Sequence, residues 1–338
     1  MFGSRKKRAT GIHIGDDALN VVEMSSSSRE GAKIEGLVSL DLDTWPLSAR
    51  LSRDDVSAQL VETLRRSVNE YDLNFPSPLI ALDPSLVSVK RRALIPGSDE
   101  ENREYLKWEA TQFLSDDLDH YLLDFLLTTQ FGFVVAVRRV AVEKLSSLCK
   151  DAGVAKPRFD AVPFALCNAL EFSGGTLETG VDLVIDIGDT EARLVLLNEG
   201  ELQALESCNW WDGGSAVYTD AFSDSPGSKQ DTDGKDFGKD WVANHASDDR
   251  SQAQLLSAAL AGFVDRWADG KTPDRVWIAG RDADSPQWGA AVASSLSITG
   301  ESLNPFAAVE GSEEILTNVD APAFAIAAGL AFRGLAGD

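Results

Sequence analysis

Alternation of hydrophobic and polar residues predicts short β-strands in two separate stretches of the chain. In the first stretch the alternating runs are at residues 11–14, 18–24 and 33–40. In the second stretch they are at residues 181–187, 192–197 and 202–207. Gly15 and Gly188 stand at equivalent points, between the first and second run of each set. Since a period of two is typical of strands with one buried face, each stretch is predicted to form a hairpin followed by a third strand.

Apolar residues spaced three and four apart predict helices between the strands. An apolar stripe runs along residues 56–71, and Ser52 with Asp55 is predicted to cap that helix. Ser98 with Glu101 predicts a second capped helix. Further helices are predicted around residues 145–153, 159–171, 255–267, 288–296 and 321–335. Further strands are predicted at residues 79–82, 87–95, 120–128, 132–138 and 275–279.

The two predicted hairpins carry nearly the same motif, IHIGD at residues 12–16 and IDIGD at residues 185–189. A glycine-containing turn between strands can point backbone N–H groups outward, and such a concavity can hold a phosphate. The duplication therefore predicts two related lobes that face one cleft. The copies differ at His13, which stands where the second copy has Asp186.

The order of the predicted elements divides the chain into four parts. Residues 1–86 and 158–180 are predicted to form the first lobe, and residues 181–338 the second. Residues 87–157 have a β, α, β, β, α order, which indicates a small α+β subdomain inserted into the first lobe. Residues 223–250 are rich in Ser, Asp, Gly and Lys, and are predicted to be a flexible acidic insertion.

Composition excludes several classes of function. With 31 basic and 54 acidic residues the formal net charge is −23, which opposes binding of nucleic acid through a general basic surface. Three widely spaced cysteines indicate reduced thiols in a cytosol, and only three histidines argue against a His-rich metal site. No apolar stretch reaches the ~20 residues of a membrane-spanning helix.

Several motifs in this order resemble the actin-like ATPase superfamily, and most closely the PilM proteins of type IV pilus assembly. They are GIHIGDDALNVVEM (residues 11–24), FDAVPFALCNAL (159–170), VIDIGDTEARLVLLNEGEL (184–202), NPFAAV (304–309) and APAFAIAAGLAFR (321–333). The resemblance implies an α/β, actin-like (ribonuclease H-like) two-lobe fold. It also implies that the inserted α+β subdomain is of the type found in FtsA and PilM, rather than placed as in actin.

The resemblance further implies a cytoplasmic protein that is peripheral on the inner face of the cell membrane. PilM-type proteins hold the cytoplasmic tail of a membrane partner, PilN, and contact other platform proteins of the pilus; self-association is an open expectation. The partner groove is predicted near Lys90, Arg91, Arg92 and Trp108. A cytoplasmic module like the type II secretion protein GspL is an alternative with the same fold.

The same resemblance implies that the two turns hold the phosphates of ATP and that acidic residues hold Mg²⁺ through water. The second turn keeps the residues Asp186, Gly188, Asp189 and Thr190, with Asp186 as the candidate metal ligand. The first turn keeps Gly15 but has His13, Asp16 and Asp17, and Asn20 stands where the family has a lysine. Two carboxylates aimed at a triphosphate would repel it unless a metal intervenes.

The predicted base-binding part of the cleft is also altered. Gly213 and Gly214 remain as a backbone turn, whereas Gly280 is followed by the bulky Arg281. We therefore predict a degenerate nucleotide site, which favours a protein without enzymatic activity but leaves that activity open. The alternative is an active Mg-ATP-dependent ATPase or phosphotransferase, in which His13 donates to a phosphate. No catalytic base is assigned, since the acids Glu109, Asp160 and Asp212 have no distinguishing local sequence.

Overall fold

The duplicated hairpin pattern folds into two similar sheets, one in each half of the chain. The computed structural model describes residues 7–27, 31–45, 47–71, 77–176, 178–209, 218–219, 251–267 and 271–337. The first sheet contains β1 (Lys7–Ile14), β2 (Ala18–Ser27), β3 (Gly31–Asp41), β4 (Leu79–Leu82) and β8 (Arg158–Ala161), in the order β3-β2-β1-β4-β8. The second contains β9 (Val181–Ile187), β10 (Glu191–Asn198), β11 (Glu201–Asn209), β12 (Tyr218–Thr219), β13 (Arg275–Gly280) and β14 (Gly300–Ser302), in the order β12-β11-β10-β9-β13-β14.

The two sheets share one pattern of pairing. In the first, β1 is antiparallel to β2 and parallel to β4, with Ile12 opposite Val21 and Ile80. In the second, β9 is antiparallel to β10 and parallel to β13. The central strand β9 is buried at every position, as expected of a strand covered on both sides, and Asp182 and Asp186 are its two polar residues. The predicted strand, turn and returning strand is confirmed in both copies.

A third, smaller sheet is inserted along the chain between β4 and β8 of the first sheet. It contains β5 (Val87–Ala93), β6 (Tyr121–Leu127) and β7 (Phe131–Arg138), in the antiparallel order β5-β7-β6. Helix α3 (Asp99–Phe113) covers it through Leu106 and Ala110, which pack against Val134. Helix α4 (Arg139–Asp151) follows, so the predicted β, α, β, β, α order is confirmed.

Helices cover the sheets, and two short segments form 3₁₀ helices. The remaining helices are α1 (Leu47–Ser52), α2 (Asp54–Glu70), α5 (Val162–Phe172), α6 (Gln252–Trp267), α7 (Pro286–Leu296), α8 (Ser312–Leu316) and α9 (Ala325–Ala336), and the 3₁₀ segments are Leu118–His120 and Ala321–Phe324. Among the described residues, no helix is both long enough and apolar enough to cross a membrane.

Two local predictions are wrong. Ser52 ends α1, and α2 begins one residue beyond the extended Arg53, which makes no side-chain cap, so the predicted cap by Ser52 is absent. Residues 158–161 are strand β8 rather than the start of a helix, since they pair with β4 and Pro163 favours a helix start at Val162. The capping box of Ser98 and Glu101 is confirmed, with Ser98 N–H donating to Glu101 Oε2 at 2.7 Å.

The core of the first lobe depends on close contact between α5 and α9, although α9 belongs to the residues that were predicted to form the second lobe. Gly329 on α9 lies against the backbone of Ala165 on α5, and a Cβ added there would collide with the Ala165 carbonyl group. Gly11 on β1 meets the backbone of α9 in the same way. Only glycine allows the two helices and the sheet to approach this closely.

We expect Gly329→Ala to lower the free energy of unfolding by about 1–3 kcal/mol, because overpacking forces the two helices apart. Gly289→Ala is the matched control, since Gly289 is also helical but has open space around its Cβ position. That variant is expected to gain about 0.5–1 kcal/mol from helix propensity. Urea unfolding measures both, and equal effects of the two substitutions would contradict this packing.

Candidate functional site

The two duplicated turns face each other across a cleft, but their glycine amides are already bonded. Gly15 N–H donates to Ala18 O at 2.8 Å, and Gly188 N–H donates to Glu191 O at 2.9 Å. In each turn, the glycine N–H that the sequence suggested for binding phosphate therefore bonds within its own hairpin. The cleft retains a cavity of about 180 Å³.

The turns also contact each other directly. Thr190 Oγ1 of the second turn donates to Asp16 Oδ2 of the first. Behind the first turn, the fully buried Arg50 donates to Asp16 O at 2.6 Å and to Asp43 O at 2.7 Å. Arg50 therefore fixes the first turn from within the first lobe, and Thr190 contacts the same turn from the second lobe.

A buried arginine lies at the base of the cleft. Arg193 stands on β10 directly opposite Asp186 on β9, and its Nη1 donates to Asp186 Oδ2 at 2.8 Å. Its Nη2 donates to Asp83 Oδ2 of the first lobe, also at 2.8 Å. Its Nε lies 2.9 Å from Glu191 Oε1, a close contact outside hydrogen-bond geometry. All four side chains are at most 10% exposed, so the cluster is desolvated and joins both lobes.

Burial shifts the proton affinity of the acids around this arginine. Burial raises the pKa of Glu191 to about 8, against the opposing attraction of Arg193. The pKa of Asp189 is raised to about 6 by burial and then by the nearby Asp17 and Asp16. Burial also raises the pKa of Asp16. At neutral pH Glu191 therefore carries a proton, and Arg193 neutralises a smaller negative charge than the residue count indicates.

His13 lies in the cleft as a neutral side chain. Burial and the charge of Arg193 lower its pKa to about 4. Its two ring nitrogens are buried and have no hydrogen-bond partner in the described part of the chain. Nearby, Asn20 Nδ2 donates to Ala323 O at 3.0 Å, which attaches β2 to the segment before α9.

The mouth of the cleft is narrowed by the residue that follows Gly280. Gly280 has a φ of 97° and lies so close to the backbone of Ile187 that a Cβ would collide with it. Arg281 then reaches across the cleft, where its Nη1 lies 2.9 Å from Asp17 Oδ2. The predicted site residues Gly213 and Gly214 lie outside the described residues, as does Asp212.

The four predicted partner residues lie on β5 and α3, and none of them lines the large groove beside β6. Arg91 Nη1 donates to Gln203 O at 2.8 Å, and Arg92 Nε donates to Glu109 Oε2 at 2.8 Å. Lys90 is half-buried on β5, whereas Trp108 on α3 is 56% exposed. Their contact with a partner stays a prediction, but the large groove lies elsewhere.

That groove, of about 750 Å³, runs between the free edges of two sheets. Strand β6 forms one wall and β8 with α5 forms the other, while the turn between β10 and β11 closes one end. The apolar lining includes Leu122, Leu126, Phe159, Phe164, Cys167 and Leu202. Its polar lining includes Asp124, Glu201, and Asp160 paired with Arg333 at 2.5 Å. Its walls come from distant segments, so no local pattern of the sequence predicts it.

Comparison with known proteins agrees with this architecture. A family model described as type IV pilus assembly protein PilM matches residues 11–335. The chain is similar to a structure described as a PilM-PilN type IV pilus biogenesis complex, with 21% identity over 97% of this chain and 98% of that chain and a TM-score of 0.71. No curated protein matches the sequence.

A second solved structure extends the comparison of the fold. It is a protein from Bacteroides thetaiotaomicron described as having an actin-like ATPase fold and unknown function. The identity is 10% over 96% of this chain and 95% of that chain, with a TM-score of 0.53. At these identities the similarity shows the fold alone, and the predicted actin-like α/β fold class is confirmed.

We expect Glu191 to make the free energy of unfolding fall as the pH rises from about 5 to about 8. Folded Glu191, with a pKa of about 8, keeps a proton that the unfolded chain has lost, so each pH unit in this range removes up to ~1.4 kcal/mol per proton. Glu191→Gln should weaken this pH dependence by an amount that corresponds to up to one bound proton.

Glu143→Gln, on the exposed face of α4, is the control and should leave the slope unchanged. Urea unfolding across this pH range measures all three proteins. A slope that is the same in Glu191→Gln and in the parent would mean that Glu191 is ionised in the folded state.

Proposed function

The chain belongs to the family of type IV pilus assembly protein PilM, and we propose that it is a cytoplasmic platform protein that binds the tail of a PilN-like membrane protein. The similarity to a PilM-PilN complex supports this partner. Binding of such a tail would hold the protein on the inner face of the membrane. Contacts with other platform proteins and self-association are further parts of the proposal.

The groove between β6 and β8 is the observation that carries the proposal. Its volume of about 750 Å³ falls within the 300–1,000 Å³ usual for ligand sites. Strand β6 lies at the end of the β5-β7-β6 order, and an extended peptide can add to such an edge through main-chain hydrogen bonds. The apolar lining suits hydrophobic side chains of the peptide, while Asp124 and Glu201 suit basic residues, which are common where a tail leaves a membrane.

We further infer that the nucleotide site is degenerate. A Mg²⁺ ion held by Asp186 would have to displace the guanidinium of Arg193, which also satisfies Asp83. A phosphate between the turns would have to displace Thr190 from Asp16, and the Arg281–Asp17 ion pair narrows the entrance. The residues present therefore do not fit a Mg-nucleotide, and no contact in the described cleft favours the alternative of an active ATPase or phosphotransferase.

Substitution of Leu126 by arginine is expected to weaken tail binding at least tenfold. Leu126 is 38% exposed in the groove, where a charged side chain would be desolvated by a bound apolar peptide. The measurement is fluorescence anisotropy with a labelled synthetic peptide that has the sequence of the partner's cytoplasmic tail.

Val140→Arg is the matched control, since Val140 is an exposed apolar residue on α4 outside the groove lining. It should bind the peptide as the parent does. The peptide should also protect Cys167 on the groove wall from a thiol reagent. If both substitutions weaken binding equally, or if Cys167 is not protected, the peptide binds elsewhere.

Calorimetry with Mg-ATP is expected to detect no binding at micromolar nucleotide concentrations, because the positions of the metal and of the phosphates are taken by side chains of the protein. Titrations with Mg²⁺ alone and with ATP in a chelator separate the contributions of metal and nucleotide. Micromolar affinity for Mg-ATP with measurable turnover would overturn the degenerate-site proposal while leaving the groove proposal intact.

A further inference from the structure

One arginine attaches the inserted subdomain to the second lobe. The guanidinium of Arg91 on β5 lies 4.2 Å from the ring centroid of Phe131 on β7 and 4.2 Å from that of Trp267 at the end of α6. Its Nη1 also donates to Gln203 O on β11 at 2.8 Å. The cation is therefore stacked between an aromatic ring of its own sheet and one of the other lobe.

The surface that receives Arg91 is itself fixed. Trp267 Nε1 donates to Glu206 Oε1 at 2.6 Å, and Arg266 binds both oxygens of the same carboxylate. The side chain of Glu206 is 1% exposed, so this arrangement is desolvated. These bonds fix the orientation of the Trp267 ring against β11, so Arg91 packs on a rigid surface.

A second link lies close to the first. Thr129, in the turn between β6 and β7, donates to Glu201 Oε2 through its backbone N–H at 3.2 Å and through Oγ1 at 2.5 Å. Gln203 and Glu201 both belong to β11, near the turn that closes the groove. The two links therefore fix β6 relative to the β10–β11 turn.

We propose that Arg91 is a positioning residue that sets the width of the groove between β6 and β8, by holding the inserted subdomain against the second lobe. Arg91 does not line the groove and acts through the sheet order: β5 carries Arg91, β7 carries Phe131, and β6 presents the groove wall. The importance of this width for a bound tail rests on the proposed function. The contact between the inserted subdomain and the second lobe does not rest on it.

Cys167 provides a test that needs no partner. It lies on the groove wall, partly buried on α5, and burial raises the pKa of its thiol to about 12. A wider groove would hydrate the thiol, lower its pKa and speed its reaction with a thiol reagent. Peptide mass spectrometry separates labelling at this residue from labelling at the buried Cys149 and Cys208.

Arg91→Ala in the full chain is expected to speed labelling of Cys167 about tenfold. Arg91→Lys keeps the charge but loses the planar stack, and should give an intermediate rate. Arg92→Ala is the matched control, because Arg92 is the neighbouring residue and also pairs and stacks, with Glu109 and Phe113 of the inserted subdomain. That variant should label within about twofold of the parent.

A second variant guards against misfolding of the first. Phe131→Leu removes one of the two stacked rings and is expected to speed labelling severalfold in the same direction. An unchanged labelling rate in both Arg91→Ala and Phe131→Leu would overturn the proposal. So would an equal increase in Arg92→Ala, since loosening of the inserted subdomain alone would then explain the effect.

The tail peptide gives an independent reading of the same variants. If the parent binds the peptide, Arg91→Ala should weaken binding about tenfold. If the parent does not bind, yet Arg91→Ala still speeds labelling, the tail proposal fails and the positioning role stands. Normal labelling in a variant with weakened binding would instead place Arg91 in direct contact with the peptide.

Discussion

Buried carboxylates need a positive charge nearby, and in this strongly acidic chain Arg193 supplies it from inside the fold. A single guanidinium takes Asp83 from one lobe and Asp186 from the other, in a space with almost no solvent. Removing one partner from such a cluster typically costs 3–5 kcal/mol, because the remaining charge stays buried and unpaired. The relation between the lobes therefore depends on this arginine, and the contacts of Thr190 and Arg281 around it close the cleft further.

The strand that carries Arg193 connects the cleft to the groove. Strand β10 begins beside the cleft with Glu191 and Arg193 and ends at Asn198, just before the turn that closes the groove. Its eight residues span about 25 Å, and its pairing with β9 and β11 on both sides makes it stiff. Through β11 and Arg91, the same strand is attached to the inserted subdomain. Each of the three bodies is thus connected to the other two. Arg193 joins the first lobe to the second, Arg91 joins the second lobe to the inserted subdomain, and the chain itself joins the inserted subdomain to the first lobe.

Local sequence patterns predicted the secondary structure of the three bodies but not the contacts that join them. The hairpins, the inserted sheet and the Ser98 cap follow from periodicity and short-range spacing, so they could be identified without the structure. The Ser52 cap was wrong because a second short helix, α1, occupies the position before α2. The Arg193–Asp83 pair joins residues 110 positions apart, and no spacing rule reaches that far. One signal was present: Arg193 is a charged residue inside an otherwise apolar run, which indicates a buried partner.

In the proposed degenerate site, side chains of the protein would hold the lobes together in place of a metal and phosphates. A cleft bridged by a nucleotide can open when the nucleotide leaves, whereas Arg193, Thr190 and Arg281 are permanent parts of the chain. If the cleft binds no nucleotide, as proposed, the lobes keep one relation at all nucleotide concentrations, and the groove, which is lined by both lobes and the inserted subdomain, keeps one shape. A preformed groove avoids the entropic cost of ordering its walls when a peptide binds. For a protein whose proposed task is to hold a membrane protein's tail continuously, a cleft closed by the protein's own side chains would therefore be a source of rigidity.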